Sequence, residues 1–261
     1  MWNVLGTSVT GVSHLRSGIP CQDYSAHELL NRGKTAVIAL SDGAGSASHS
    51  HLGSKIAVKA ALSALKQVVE SAPYCDRDGA HYVLDAARTA VIQSAGSFDR
   101  RAKDFACTLL FCVASESRAS FVQLGDGAWI VMAGGNLFPM TWPLQGEYAN
   151  ETNFLTSANW REGFEFRETS FPINAMAGFT DGLQMVALHY ASRSVHEPFF
   201  APLFKVLASS LETSHLLESL AGYLSVEALN ERTDDDKTLV LAVRRNLPLL
   251  TWSSSTTKTF P

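Results

Sequence analysis

Apolar residues follow two different patterns along this chain of 261 residues. Short runs rich in β-branched and aromatic residues, most of them bounded by Gly, Asp or Ser, predict β-strands. The runs are WNVLGTSVTG, TAVIALS, FACTLLFCVA, RASFVQLG, AWIVMAG, NLFPMTW, GFEFRETS, AMAGFT and KTLVLAVRR. Gly134 and Gly135 lie between two of these runs, where they predict the turn of a hairpin.

The spacing of apolar residues changes to that of helices between the strand runs. In the segment 51–72, Val58, Leu62, Leu65 and Val69 recur at spacings of four, three and four, and the charged residues share a separate arc. Further helices are expected at 80–94, 183–191, 198–211 and 214–224. Runs of strands interrupted by pairs of helices favour an α+β fold over alternating parallel βαβ units.

The composition fits one globular domain. Apolar residues make up 46% of the chain, and the net charge of −4 argues against a nucleic-acid or anionic-membrane partner. No signal peptide is apparent and no apolar run reaches the roughly 18 residues of a membrane span. The four cysteines lack CxxC spacing, and Cys107 and Cys112 are expected in the core. We expect a reduced, cytoplasmic monomer with a domain at 1–245 and a tail at 246–261.

Aspartates stand at the ends of several predicted strands. Asp-Gly pairs occur at Asp42, Asp126 and Asp181, a run of three aspartates covers 234–236, and Asp23 closes the segment CQD. One such pair alone is ordinary turn chemistry, and a hairpin turn is an equal alternative for Asp126. If the strand ends converge, however, these carboxylates repel one another and raise their pKa values unless divalent cations lie between them. Oxygen-only ligands suit Mg²⁺ or Mn²⁺ rather than Zn²⁺.

The order of these motifs resembles a known family. GIPCQD, ALSDGAGS, FACTLL, LGDGAWIV, FTDGL and TDDDKTLVLAV are similar to motifs of the metal-dependent type 2C (PPM) serine/threonine protein phosphatases. GTSVTGVSH, DFACT, GEYANETNFLT and NERTDDDKTL resemble a compact bacterial subgroup of that family. The resemblance runs from about residue 6 to residue 243. It implies a four-layer α-β-β-α sandwich, in which two antiparallel sheets are flanked by helix pairs, with two metal ions at one edge.

The resemblance also implies a ligand set. Asp42 matches the aspartate that bridges both ions, and Gly43 matches the residue that offers a carbonyl oxygen. Asp181 and Asp235 match further ligands, with Asp235 three residues before Thr238. The remaining correspondences are Asp23, which matches the acidic residue of the N-terminal motif, and Asp126, which resembles the ligand of a third, weaker ion in some bacterial members. Asp42 and Asp23 are the implied catalytic residues. The implied cofactors are two Mn²⁺ or Mg²⁺ ions that hold a hydroxide between them.

Two positions depart from the family pattern. The family's Asp-Gly-His-Gly-Gly is Asp42-Gly43-Ala44-Gly45-Ser46 here, so its histidine is absent; His49 and His51 are expected at the surface or at a helix start. The usual phosphate-binding arginine falls at Gly18, and Arg16 is the nearest candidate for that role.

Three functions remain open from sequence. The first is hydrolysis of phosphoserine and phosphothreonine in protein substrates, which would make a cognate kinase or its targets the partners. The others are a pseudophosphatase that binds a partner and a phosphoesterase acting on small molecules. Cys112 and Arg118 also match the spacing of cysteine-dependent phosphatases, but Glu116 would repel a phosphate in that loop, so we interpret the match as chance.

Overall fold

The computed structural model describes residues 1–143, 152–210 and 212–245. Ten strands form two five-stranded sheets in which every neighbouring pair is antiparallel. The first sheet has the order β1 (Trp2–Val9), β12 (Lys237–Arg244), β9 (Ala175–Phe179), β6 (Ala128–Ala133) and β7 (Asn136–Pro139). The second has the order β2 (Tyr24–Leu30), β3 (Thr35–Ser41), β4 (Leu109–Ala114), β5 (Ala119–Leu124) and β8 (Phe164–Thr169). Two short strands, β10 (Leu188–His189) and β11 (Ser194–Val195), pair with each other.

Seven α-helices surround these sheets in the described residues. They are α1 (Val12–Ser17), α2 (Ser50–Ser71), α3 (Arg77–Ser97), α4 (Gln184–Ala187), α5 (Glu197–Ser209), α6 (Ser214–Leu224) and α7 (Glu227–Asn230). Helices α2 and α3 pack on the second sheet, and α5 and α6 pack on the first. The predicted four-layer α-β-β-α sandwich is confirmed.

Strand β12 is apolar from residue 239 to residue 243, where both of its faces are buried. Leu239 and Leu241 face the helices of the first sheet, whereas Val240 and Ala242 face the second sheet. Successive side chains of a strand point to opposite faces, so a strand buried on both faces is apolar at every position. The layer between the sheets also contains Trp129, which is fully buried.

Several elements differ from their predicted bounds. The helix expected at 183–191 ends at Ala187, because the chain continues directly into β10. The strand expected from Phe105 begins only at Leu109, since Ala102–Phe105 form a turn of 3₁₀-helix. The pattern also missed β2 and α1. The burial of β2 is partial along its length, and α1 has six residues with none buried, so neither carries a strong apolar period.

The predicted hairpin and the alternative of a hairpin turn at Asp126 have different outcomes. The hairpin at Gly134 and Gly135 is confirmed, because β6 and β7 pair with Ala133 opposite Asn136. The interpretation of Asp126 as a hairpin turn is wrong, because β5 and β6 belong to different sheets. Asp126 lies in the segment that connects the two sheets.

Some predictions lie outside the described residues. They concern the tail at 246–261 and most of the segment GEYANETNFLT. The division of the chain into a domain and a tail stays a prediction. Among the residues that the structure describes, every helix is too short or too polar to span a bilayer.

Candidate metal centre

A cavity of about 260 Å³ lies where β3 and β9 end and β12 begins. It brings together five of the predicted site residues, which are far apart in sequence. They are Asp42, Gly43, Asp126, Asp181 and Asp235. The cavity thus brings together Asp42, Asp181 and the aspartate run, as expected if the strand ends converge, and Asp126 joins them.

Three of these side chains form a compact acidic group. Each of Asp42, Asp126 and Asp181 offers a carboxylate oxygen, and these oxygens lie within 4.8 Å of one another. Two ionised carboxylates at that distance repel by roughly 3 kcal/mol at an effective dielectric constant of 20. Burial, followed by the charges of neighbouring aspartates, raises the pKa values of Asp42 and Asp181 well above their ordinary range. The group is unfavourable without a cation.

Asp42 is held by hydrogen bonds to the chain beside it. Its backbone amide donates to Oγ1 of Thr108 at 2.9 Å, and its carbonyl oxygen accepts from the amide of Thr108 at 2.8 Å. The following residue, Gly43, forms a bridge with Cys107. The Asp-Gly pair therefore continues the direction of β3 into the cavity.

Asp181 begins a 3₁₀ turn directly after β9. The next residue must be glycine, because a Cβ on Gly182 would lie 2.0 Å from the carbonyl oxygen of Asp236. This close approach places Asp181 beside the loop that carries Asp235. Burial, together with the charges of Asp236 and Asp234, raises the pKa of Asp235.

Asp23 is buried near the acidic group, close enough to Asp42 for the two carboxyls to interact. Its Oδ2 accepts hydrogen bonds from the hydroxyls of Thr180 and Thr238, both at 2.7 Å. Burial is the largest effect on this carboxyl and raises its pKa to about 7. Its other oxygen, Oδ1, is buried and has no hydrogen-bond partner among the described residues.

Unpartnered buried oxygens are the direct sign that this cavity suits a cation. Besides Asp23, Oδ1 of Asp126 and Oε1 of Gln22 are buried without a described partner, and Asp126 and Gln22 line the cavity. Such atoms are costly unless a ligand satisfies them. All of them are hard oxygen donors, as Mg²⁺ and Mn²⁺ require. The residues fit a divalent metal centre.

The sequence did not reveal how the run of three aspartates is arranged. Asp234 and Asp235 both border the cavity, Asp234 as an exposed residue and Asp235 as a half-buried one, but Asp236 is buried. The two oxygens of Asp236 accept hydrogen bonds from the backbone amides of Gly11 at 2.7 Å and Gln22 at 2.5 Å. Asp236 thus joins the start of the chain to the loop before β12.

Two further residues of the site were missed from sequence. His14 lines the cavity, and its Nδ1 lies 2.9 Å from Oδ1 of Asp236. Lys237 is fully buried, and its Nζ donates to Asn230 at 3.0 Å and to the carbonyl oxygen of Asp235 at 3.3 Å. The partner of His14 is distant in sequence, and Lys237 directly precedes an apolar strand run. No local sequence pattern therefore marks either residue as part of the site.

Other candidates lie away from the cavity. Arg16 is exposed on α1 and is not among the residues lining the cavity, so its phosphate-binding role stays a prediction. His49 stacks on Phe105 at the start of α2, as expected for a helix-start residue. Cys112 is fully buried, and burial raises its pKa well above the ordinary range, so it has no thiolate character.

Comparisons with known proteins agree with this geometry. The family model for protein phosphatase 2C matches residues 10–225. Serine/threonine-protein phosphatase 3 of Escherichia coli (strain K12) is 36% identical over 250 residues, which cover 93% of this chain and 98% of that protein. The chain belongs to the protein phosphatase 2C family. It is accordingly a protein serine/threonine phosphatase that depends on divalent metal.

Solved structures share the fold at low sequence identity. The catalytic domain of the serine/threonine phosphatase PstP, in complex with two manganese ions, is 18% identical with a TM-score of 0.59. The similarity covers 93% of this chain and 97% of that one. A bacterial serine phosphatase is 14% identical with a TM-score of 0.62, over 95% of this chain and 100% of that one.

The raised pKa values predict how pH affects the metal-free protein. The carboxyls of Asp23, Asp42 and Asp181 ionise near 3.8 when unperturbed and at higher pH in the metal-free fold. Between pH 4 and about 7 the fold therefore binds more protons than the unfolded chain, so its stability falls as pH rises. We expect metal-free protein to melt at a higher temperature at pH 5 than at pH 7.5. Saturating Mn²⁺ should reverse this order, because it favours the ionised carboxylates; a metal-free protein that melts higher at pH 7.5 would contradict the assignment.

Proposed function

We propose that Asp42, Asp181, Asp235 and the carbonyl oxygen of Gly43 hold two Mn²⁺ or Mg²⁺ ions, and that Asp126 holds a third, weaker ion. The observation that carries this proposal is the group of three carboxylates whose oxygens lie within 4.8 Å in one cavity. A protein that only bound a partner would have no physical need for carboxylates that repel one another, whereas a bound cation removes the repulsion.

The chemistry follows from the surroundings of the ions. Divalent ions of this kind ionise water near neutral pH and neutralise charge on a phosphoryl group. The protein's own residues hold the carboxylates in place. Asp42 is fixed by Thr108, and Asp23 is fixed by Thr180 and Thr238. We assign Asp23 to the metal centre as a catalytic residue beside Asp42, with its unpartnered Oδ1 as the available atom.

Release of phosphate from a phosphothreonine peptide tests this function. Prolonged chelation followed by removal of the chelator should abolish activity, and added Mn²⁺ or Mg²⁺ should restore it. Iodoacetamide should have little effect, because Cys75, Cys107 and Cys112 are buried, and because burial and the charge of Asp23 raise the pKa of the half-buried Cys21. Activity that survives chelation and is lost on alkylation would overturn the proposal. Intact metal binding without turnover would favour the pseudophosphatase, and activity on small phosphoesters alone would favour the small-molecule phosphoesterase.

The substrates of this enzyme are phosphoproteins. We propose that they are the targets of a cognate serine/threonine kinase, or that kinase itself, and that the enzyme acts as a monomer. We also propose a cytoplasmic location, which is supported by four cysteines that are all unpaired.

A further inference from the structure

We infer that His14 is a further catalytic residue of this phosphatase, which protonates the departing serine or threonine oxygen. The inference rests on the proposed function and concerns a residue that the ligand set does not include. His14 lines the same 260 Å³ cavity as Asp42, Asp181 and Asp235. The loop after Asp42 offers no ionisable side chain to the cavity, since positions 44 and 45 are Ala and Gly.

The position of His14 is fixed by the short helix that carries it. Gly11 precedes α1, and its amide donates to Asp236 at 2.7 Å. Ser13 donates through both its amide and its hydroxyl to the carbonyl oxygen of Asp234, at 3.0 and 2.8 Å. Gly11 must be glycine here, because a Cβ would lie 2.2 Å from the carbonyl carbon of Asp235. The helix is thereby attached to the loop that carries the proposed ligand.

The imidazole of His14 packs against a buried carboxylate. Nδ1 of His14 faces Oδ1 of Asp236 at 2.9 Å, and the side chain is only 13% exposed. Because Nδ1 is buried beside Asp236, we assign Nε2 to the contact with a bound phosphoester. A histidine oriented by a carboxylate through one nitrogen, with the other free for proton transfer, is a recurrent catalytic arrangement.

Carboxyl groups surround the imidazole. Both oxygens of Asp236 accept hydrogen bonds from backbone amides. Asp234 and Asp235 add negative charge on the same loop, and Asp235 interacts electrostatically with His14. The described residues around the imidazole therefore include the carboxyl groups of Asp235 and Asp236, and each of the three side chains offers an atom within 4.8 Å of the others.

The proton has a defined path. As the oxygen of water bonds to phosphorus, the bond from phosphorus to the serine or threonine oxygen breaks and its electron pair moves to that oxygen. The proton on Nε2 of His14 joins the same oxygen, which leaves as a neutral hydroxyl. The imidazole then regains a proton from solvent, and the attacking water has lost one, so the hydrolysis balances. A serine alkoxide is a poor leaving group, and this protonation contributes about 10²- to 10⁴-fold in rate.

The test compares two leaving groups in one preparation of His14→Gln. With saturating Mn²⁺, turnover of a phosphothreonine peptide should fall by about 100-fold or more, whereas turnover of p-nitrophenyl phosphate should fall by less than about threefold. Nitrophenolate needs no proton to leave. The ratio of the two rates does not depend on how much of the variant is folded, so a loss of stability cannot imitate the result.

Two controls separate this inference from its alternatives. His51→Gln removes an imidazole that does not line the cavity and should leave both rates unchanged. The Mn²⁺ affinity of His14→Gln should match that of the wild type. Equal losses on both substrates, no loss on either, or a parallel loss of Mn²⁺ affinity would each overturn the role of His14. Failure of the wild type on both substrates would instead overturn the proposed function.

Discussion

Asp42→Asn should lower kcat/KM for a phosphothreonine peptide by at least about 1,000-fold while the protein remains folded. Asp42 belongs to the group of three carboxylates and interacts with the charges of Asp23, Asp181 and Asp126. An amide keeps the shape of the side chain and the backbone hydrogen bonds to Thr108, but it removes the negative charge that a metal requires. The loss is therefore expected in catalysis and not in folding.

The metal-free form of Asp42→Asn should melt at the same temperature as the wild type or higher. One fewer buried carboxylate relieves the repulsion that raises the pKa values of this group. Asp181→Asn should behave in the same way, because its carboxylate belongs to the same group. Asp78→Asn, which changes an exposed carboxylate in the first turn of α3, serves as the control with unchanged activity. Wild-type turnover by a folded Asp42→Asn protein would contradict the metal centre.

The second large effect is expected in the run of three aspartates. Asp235→Asn should lower both turnover and Mn²⁺ affinity by at least about 100-fold, because Asp235 borders the cavity and its carboxylate is proposed as a ligand. Asp234→Asn should have little effect, since Asp234 is exposed, although it too borders the cavity, and is not a proposed ligand. Turnover and Mn²⁺ affinity, the latter from calorimetric titration, are measured for each of these variants.

Asp236→Asn should lower stability and, through the position of His14, turnover, but it should not act through Mn²⁺ affinity. Its carboxylate accepts backbone amides of Gly11 and Gln22, and an amide group can replace only one of these acceptors. Leaving a buried donor unpaired costs about 1–3 kcal/mol. The variant should therefore melt at a lower temperature and yet bind Mn²⁺ in its folded fraction. Loss of Mn²⁺ binding in Asp236→Asn together with wild-type affinity in Asp235→Asn would place the ligand one residue later.

The aspartates could be found from sequence because each follows or precedes a strong apolar strand. The ends of β3 and β9 and the start of β12 are marked by Asp-Gly or by the aspartate run, and antiparallel pairing brings β9 and β12 into register at this edge. Helices with a long apolar period were equally clear, and α6 begins and ends as predicted. Strong local periodicity thus determined most of the architecture.

The supporting residues could not be found in this way. The contact of His14 with Asp236 spans more than two hundred residues, and α1 has no buried face to produce a period. Lys237 was interpreted only as the first residue of a strand, yet it is fully buried beneath the loop. Such contacts depend on how the layers meet, which no single segment encodes. The role of Asp126 was ambiguous for the same reason. Local sequence does not show whether the strands before and after it belong to one sheet or to two.

Anomalous scattering from a crystal of the wild-type protein grown with Mn²⁺ tests the central claim most directly. The claim is that the converging carboxylates form a metal centre. Data collected at the manganese absorption edge should show two strong peaks in the cavity bounded by Asp42, Asp181 and Asp235, and a weaker peak beside Asp126. Crystals of Asp42→Asn grown in the same solution should lose the two strong peaks. A wild-type map without manganese in this cavity, from protein that is active in the same Mn²⁺ solution, would contradict the account.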